Sequence, residues 1–314
     1  MCTRIFWSDN DVAKVVSRTM DWQVSDEPRL WTLPAGMHRS GGVPDGLSWQ
    51  SRYGSVGLSM WDAGTSDGVN DQGLGAHLLY LEAADFGAPD ARPAVANTHW
   101  GQWVLDNFAT VADAVDAMSS IRITSNPLRG QRLNCHLAID DVTGDSAIIE
   151  AIDGKLVVHH GAEFGVMAND PLFDDQLANL HRYRPFGGDL PLPGDILSTD
   201  RFVRATYFLE HLPPPQNVDE AVAGVIHIGS NVAVPPGAPY DDFSVYPTWW
   251  MSAIDLTSRT YYFWSRLSPA LTWLSLDDID LSAGAPIRAL QMEKSGLAGD
   301  IAPDLTTWAQ PLPY

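Results

Sequence analysis

Short strand-like segments, separated by Gly, Pro, Asn and Asp, constrain this chain more than any other feature. TRIFW, AKVVSRTM, YGSVGLSMW, GAHLLYLE, CHLAIDD, SAIIEAI, KLVVHH and TYYFWS carry the β-branched and aromatic residues that strands favour. Most are neither clean alternations nor unbroken apolar runs, the pattern of sheets covered on at least one face. Helical spacing is scarcer. VLDNFATVADAVDAMSSI shows it, with Thr110 as an N-cap for its second part. DRFVRATYFLEHL, opened by Asp200 and stopped by the prolines at 213–215, and DDQLANLHRY are the other candidates. Strands and helices interleave without a β-α-β-α beat, so the expected class is α+β. LPLPGDILSTD and LPPPQN read as loops and GGVPDG as a turn, and no repeat or linker divides the chain. A single domain over residues 1–314 is expected. From about Leu281 onward the periodicity is weak, and that stretch is expected to pack over the surface.

Charge removes several classes of function. The chain carries 39 acidic against 19 basic side chains, a net charge of −20. Nucleic acid and anionic membrane surfaces both require a basic face. No apolar run reaches the roughly eighteen residues of a membrane span, and no basic-then-apolar leader opens the chain. The expected location is cytoplasmic for the sequence as it stands, and periplasmic if a leader was trimmed from it. The two cysteines allow at most one disulfide. Cys135, in the apolar LNCHLAID, reads as a buried free thiol. His159–His160 lacks a partner at metal-ligand spacing and reads as a solvated strand end. Asp277, Asp278 and Asp280 lack the Gly and terminal Glu of a calcium loop. His136 reads as a core histidine with a satisfied partner. No metal and no cofactor is expected.

The other cysteine, Cys2, directly follows the initiator methionine. TRIFW, the turn formers SDND and the return run VAKVVSRTMDW make a hairpin. A turn centred near Asp9–Asn10 gives paired positions that sum to about 19 or 20, which sets Cys2 opposite Ser17 or Arg18. Asp21 falls a few residues further on. A cysteine, an arginine and a carboxylate then meet at one end, although a bulge is needed to turn Arg18 and Asp21 to the same face. Methionine before a residue as small as Cys is normally removed, which leaves Cys2 with a thiol and a free α-amine. An α-amine titrates near about pH 8 and can take the thiol proton and return it to a leaving amine. Arg18 favours the thiolate electrostatically. Asp21 can orient the ammonium form.

MCTR, followed some fifteen residues later by SRTMDW, resembles the choloylglycine hydrolase and penicillin V acylase family of N-terminal-nucleophile hydrolases. WQSRYGSVG, DGVNDQGLGAHLLYLE, VMANDPLFDDQLANL, STDRFVRATYF and YPTWWMSAIDLTSRTYYFWS resemble the family's further segments, in the right order over most of residues 2–265. The resemblance implies an αββα sandwich, two antiparallel sheets face to face with helices outside. It implies Cys2 as nucleophile, Arg18 as the neighbouring guanidinium and Asp21 as the carboxylate facing the amine. It also implies Asn169 and Tyr80 as oxyanion-hole contributors and Arg201 as support for the cluster. Ala168 departs from the usual Thr before Asn169. The short interval between Asn169 and Arg201 lacks the insertion that helps build the tetramer of Gram-positive bile-salt hydrolases, and resembles the Gram-negative branch. A homo-oligomer, dimer or tetramer, remains the expectation.

The implied activity is hydrolysis of a linear amide in a small N-acyl compound through a thioester. Phenoxyacetyl amides such as penicillin V come first, then N-acyl homoserine lactones, with conjugated bile salts as the alternative. Trp22, Tyr80 and Trp61 are candidate walls for an apolar acyl group. Two competing classes share these residues: a non-catalytic protein that binds an amide-bearing lipid, and an acyltransferase that passes the thioester to an amine.

Overall fold

The computed structural model describes residues 1–44, 46–268 and 270–314, so one residue of the GGVPDG turn, Asp45, lies outside it. The strand-rich sequence forms two large sheets. The first runs, in spatial order, Val166–Met167, Cys2–Trp7 (β1), Val15–Asp21 (β2), Thr248–Asp255, Thr260–Ser265, Leu271–Ser275 and Gly299–Asp300. The second runs Lys155–His160, Ser146–Ile152, Cys135–Asp140, Gly75–Tyr80, Thr65–Asn70, Ser55–Ser59, Arg29–Leu33, Arg288–Gln291 and Thr306–Thr307. Apart from the pairing of Leu271–Ser275 with Gly299–Asp300, every adjacent pair in both sheets is antiparallel.

The sheets face each other across the main core, where Phe6, Val16 and Met20 of the first meet Leu30, Val56, Leu79 and Ile148 of the second. The outer face of the second sheet packs on α1 (Trp100–Asn107) and α2 (Val111–Ala117), burying Trp100, Val104 and Val111 with Leu78 and Ile149. The first sheet is covered by α3 (Phe173–Leu180), α4 (Ser198–Glu210) and α5 (Val218–Val232). At Gly229, α5 lies so close to the sheet that an added Cβ would stand 2.5 Å from Met251 Sδ. The layering is therefore αββα, the expected α+β class.

Several details differ from the sequence reading. The first helical stretch is two helices, broken at Phe108–Thr110; Thr110 caps the second by accepting from Asp113 N at 3.2 Å. Asp200 sits in the first turn of α4 rather than at its cap, which is Leu197. α5 is absent from the sequence reading, although Asn217 caps it and Asp219 and Glu220 occupy its first turn. The stretch after Leu281 is more than a surface wrap: Arg288–Gln291 extends the second sheet beside Arg29–Leu33. Trp308 and Tyr314 do pack over Trp31, at ring separations of 4.9 and 6.2 Å.

Candidate active site

The site begins with the register of β1 and β2. Cys2 pairs with Met20 and Arg4 with Arg18, so paired positions sum to 22 rather than 19 or 20. The turn is longer than expected. Asn10 Oδ1 accepts from the backbone of Val12 and Ala13, and Lys14 Nζ donates to the carbonyls of Ser8 and Asn10, ordering the connection between the strands.

This register also removes the need for a bulge in the hairpin. Side chains alternate across a strand. Cys2, Arg4, Arg18 and Met20 point between the sheets, where Arg4 meets Asp140 and Arg18 meets the Ser66 carbonyl of the opposite sheet. Thr3, Thr19 and Asp21 point toward α4, where Arg201 waits. Arg18 and Asp21 thus approach Cys2 from opposite faces. The register of the neighbouring strand shifts between Thr248 and Trp250.

On the face between the sheets, Arg18 Nη2 lies 3.6 Å from Cys2 Sγ, and the guanidinium stacks 4.7 Å from the Trp250 ring centroid. Arg18 also faces Asp67 at 4.0 Å. Burial works against the Arg18 cation, but the Cys2 thiol and Asp67 outweigh it and raise its pKa above the ordinary value. Behind Arg18 runs a buried polar seam. Asp67 holds His77 Nδ1 at 2.6 Å and the Tyr261 hydroxyl at 2.5 Å, and Arg4 pairs with Asp140. Burial keeps the His77 pKa below its usual value despite Asp67. Trp250 Nε1 donates to buried Asp26 at 2.9 Å, and burial pushes that carboxyl up to about 7.

On the helix face, Arg201 is fully buried. Its Nη1 donates to Cys2 O at 2.7 Å and to Thr3 Oγ1, its Nη2 donates to Asn169 Oδ1 at 2.9 Å, and it faces Asp21 at 3.5 Å. Thr248 Oγ1 holds the other Asp21 oxygen at 2.6 Å. The Cys2 nitrogen donates to Asn169 Oδ1. Met1 precedes it here, with its ammonium donating to the Asp21 carbonyl; burial lowers the pKa of that amine.

Asn169 Nδ2 donates one hydrogen to Tyr80 O at 2.6 Å, which leaves the second hydrogen of the amide for another acceptor. Leu81 N–H bonds to Asn134 O, so strand alternation turns the Tyr80 N–H to the opposite edge, beyond the last pair with the Thr65–Asn70 strand at Asp67–His77. Tyr80 therefore presents a backbone N–H on that edge. Its ring instead packs edge-on against Trp22 at 5.3 Å.

A pocket opens at Cys2. Met20, Trp22, Met60, Leu79, Leu128 and Leu133 give it apolar walls. Cys135 also lines it, but burial pushes that thiol up to about 12, so it stays protonated. Trp61 does not line the pocket. It sits under the Arg129 guanidinium, 4.7 Å from its ring centroid, because a positive φ of 50° turns the chain there and its Nε1 is tied to Ser25 O.

Among the described residues no group of His, Cys, Asp or Glu has the arrangement of a metal site. His136 is buried against Glu150 at 3.3 Å, and His160 pairs with Asp145 at the sheet edge. His159 departs from the solvated reading: it is mostly buried between Phe164 and Phe173. Asp277 pairs with Arg259 in an exposed loop. Thr248, Gln176, Asp170 and Asp26 were missed in the sequence. Thr248, Asp170 and Asp26 act through contacts between distant segments, which local pattern does not show, and Gln176 acts on the Asn169 and Asp170 carbonyls just before its own helix.

Residues 2–289 match the family described as linear amide C–N hydrolases, choloylglycine hydrolase family. The penicillin V acylase of Pectobacterium atrosepticum is 36% identical over 309 residues, covering 90% of this chain and 82% of the relative. The bile salt hydrolase/transferase of Bifidobacterium longum is 25% identical over 311 residues, covering 90% and 98%. The solved structure of penicillin V acylase from Agrobacterium tumefaciens superposes with a TM-score of 0.90 at 36% identity, covering 99% of this chain and 98% of that one. No helix of the described residues is long and apolar enough to cross a membrane. The chain belongs to the choloylglycine hydrolase family of linear amide C–N hydrolases.

Proposed function

We propose that this hydrolase cleaves the amide of a small N-acyl compound with Cys2 as nucleophile, and that a phenoxyacetyl amide of the penicillin V kind is the preferred substrate. The observation that carries the proposal is the position of Cys2: it lines an apolar pocket, and its Sγ lies 3.6 Å from a buried guanidinium. Removal of Met1 frees the Cys2 nitrogen where it already contacts Asn169 Oδ1, on the side of the strand that faces Asp21 and Arg201. The α-amine takes the thiol proton, and the thiolate attacks the carbonyl carbon. The oxyanion that forms accepts from the second Asn169 amide hydrogen and the Tyr80 N–H, donors worth about 3 kcal/mol each by analogy with other acyl-transfer sites. The ammonium then gives its proton to the leaving amine as the C–N bond breaks, and water hydrolyses the thioester to release the acid.

The pocket suits an apolar acyl group: a largely hydrophobic wall with a few polar groups at the reacting end is the usual form of such sites. The higher identity to penicillin V acylase than to bile salt hydrolase supports the phenoxyacetyl reading. The same pocket accommodates the acyl chain of an N-acyl homoserine lactone as a second substrate class. The test is amine release from penicillin V, glycocholate and short- and long-chain acyl homoserine lactones, each with wild type and Cys2→Ser. Cleavage of penicillin V by wild type, reduced roughly 10³-fold or more in the variant, is expected. Equal rates in the two proteins would remove Cys2 from the chemistry. Cleavage of glycocholate alone would replace the substrate.

A further inference from the structure

The two donors proposed for the oxyanion come from different sheets. Asn169 follows Val166–Met167 at the edge of the first, and Tyr80 ends a strand of the second. The Arg4–Asp140 pair and the Tyr261–Asp67 bond tie the two sheets directionally, but neither involves Asn169 or Tyr80. The gap between the donors must nevertheless stay within a few tenths of an ångström, since stabilisation of a developing charge depends on donor distance. Some directional tie must hold the two chain segments together.

We propose that Asp170 is a positioning residue for the oxyanion hole, clamping the segment after Tyr80 to the segment carrying Asn169. The inference rests on the Cys2 mechanism proposed above. One Asp170 oxygen accepts from Glu82 N and the other from Ala83 N, both at 2.9 Å. Two successive backbone N–H groups converging on a carboxylate make a strong, geometrically specific pair of charge-assisted bonds. The clamp lies one residue from Asn169 and two from Tyr80. Asn169 Nδ2 adds a third bond across the same gap, to Tyr80 O at 2.6 Å. The Asp170 side is itself anchored, because Gln176 Nε2 of α3 donates to the carbonyls of Asn169 at 3.0 Å and Asp170 at 3.3 Å. Without the carboxylate, the chain after Tyr80 is free to swing, and the Tyr80 N–H leaves its line to the reacting carbonyl. The Cys2 thiol and Arg18 are not touched by the clamp.

This separation gives the test. Attack of Cys2 on amide carbon builds an oxyanion; alkylation of Cys2 by iodoacetamide, a displacement at saturated carbon, builds none. Asp170→Ala is expected to lower kcat on the cleaved amide roughly 10- to 100-fold with KM changed less than about threefold, since misplacing a donor penalises the transition state alone. Its Cys2 alkylation rate should stay within about twofold of wild type. Asp170→Asn, which keeps one acceptor oxygen, should recover part of the lost kcat. A lowered melting temperature with unchanged kcat would reduce Asp170 to a structural cap and overturn the proposal. Alkylation falling in parallel with kcat in both variants would overturn it too, because the damage would then reach the nucleophile. Failure of the underlying mechanism is read separately, as equal cleavage by wild type and Cys2→Ser, and the clamp falls with it.

Discussion

The two faces of the β1–β2 hairpin do different work and are built differently. Toward α4, one cation serves one carboxylate: Arg201 faces Asp21 and also bonds to Cys2 O, Thr3 and Asn169. Between the sheets the charges are shared. Arg18 lies near Cys2 and Asp67, while Asp67 keeps His77 and Tyr261 as partners of its own. The first face is proposed to handle the amine and its proton, the second the thiol. A concentrated arrangement fails when one member is lost, whereas a distributed one loses reactivity before it loses its fold.

Breaking the concentrated face gives the largest expected effect. Arg201→Leu leaves Asp21 buried without its cation, which costs about 3–5 kcal/mol of stability, measured by urea unfolding at pH 7. A loss under about 1 kcal/mol would show that Thr248, Thr19 and the neighbouring amine satisfy Asp21 without Arg201.

The next effect sharpens the contrast through pH. Asp26 sits behind Arg18, hydrogen-bonded to Trp250 and influenced by Arg18 and Glu293, and burial raises its pKa to about 7. A raised carboxyl pKa means that the fold favours the protonated form. The stabilisation is complete below the unfolded value near 4 and is lost as pH rises to about 7. Asp26→Asn cannot ionise, so it should gain on wild type across that window and hold the gain above it, by on the order of 2–4 kcal/mol. Unfolding curves at pH 4 and pH 8 measure this, and a pH-independent difference would contradict the assignment.

Arg18→Leu tests the shared face. Loss of the cation 3.6 Å from Sγ should slow iodoacetamide alkylation of Cys2 at pH 7 by roughly tenfold. Its stability loss should be smaller than that of Arg201→Leu, because Asp67 retains two partners. The reverse ranking would erase the distinction between the faces.

The smallest effect is expected at the rim. Arg129 holds Glu27 at 3.2 Å and covers Trp61, and both members of the ion pair are more than half exposed. Arg129→Ala should cost less than about 1 kcal/mol in stability. Because its loop carries Leu128 and Leu133 into the pocket, KM should rise a few-fold with kcat unchanged.

What the sequence disclosed follows the same division. Strand identity, the hairpin and the motif positions were legible because they depend on local pattern. Register was not, because it depends on how Asn10 and Lys14 fold the turn; a shift of two or three positions moved the Cys2 partner to Met20. The requirement for a bulge was wrong because it assumed that Arg18 and Asp21 reach Cys2 from one face. α5 was overlooked although its cap and acidic first turn were visible, since the Gly and Asn within VAGVIHIGSNV weaken a helical reading. Trp61 looked like a pocket wall by residue type, and only the chain reversal at positive φ turns it away.

The most direct test of the account is intact-mass and peptide mass spectrometry of enzyme quenched in acid during turnover of penicillin V. The account predicts a chain that begins at Cys2 and carries a phenoxyacetyl group on the Cys2 peptide as a thioester, absent from Cys2→Ser. A fully active chain that still carries Met1, or an acyl group found on another residue, would contradict it.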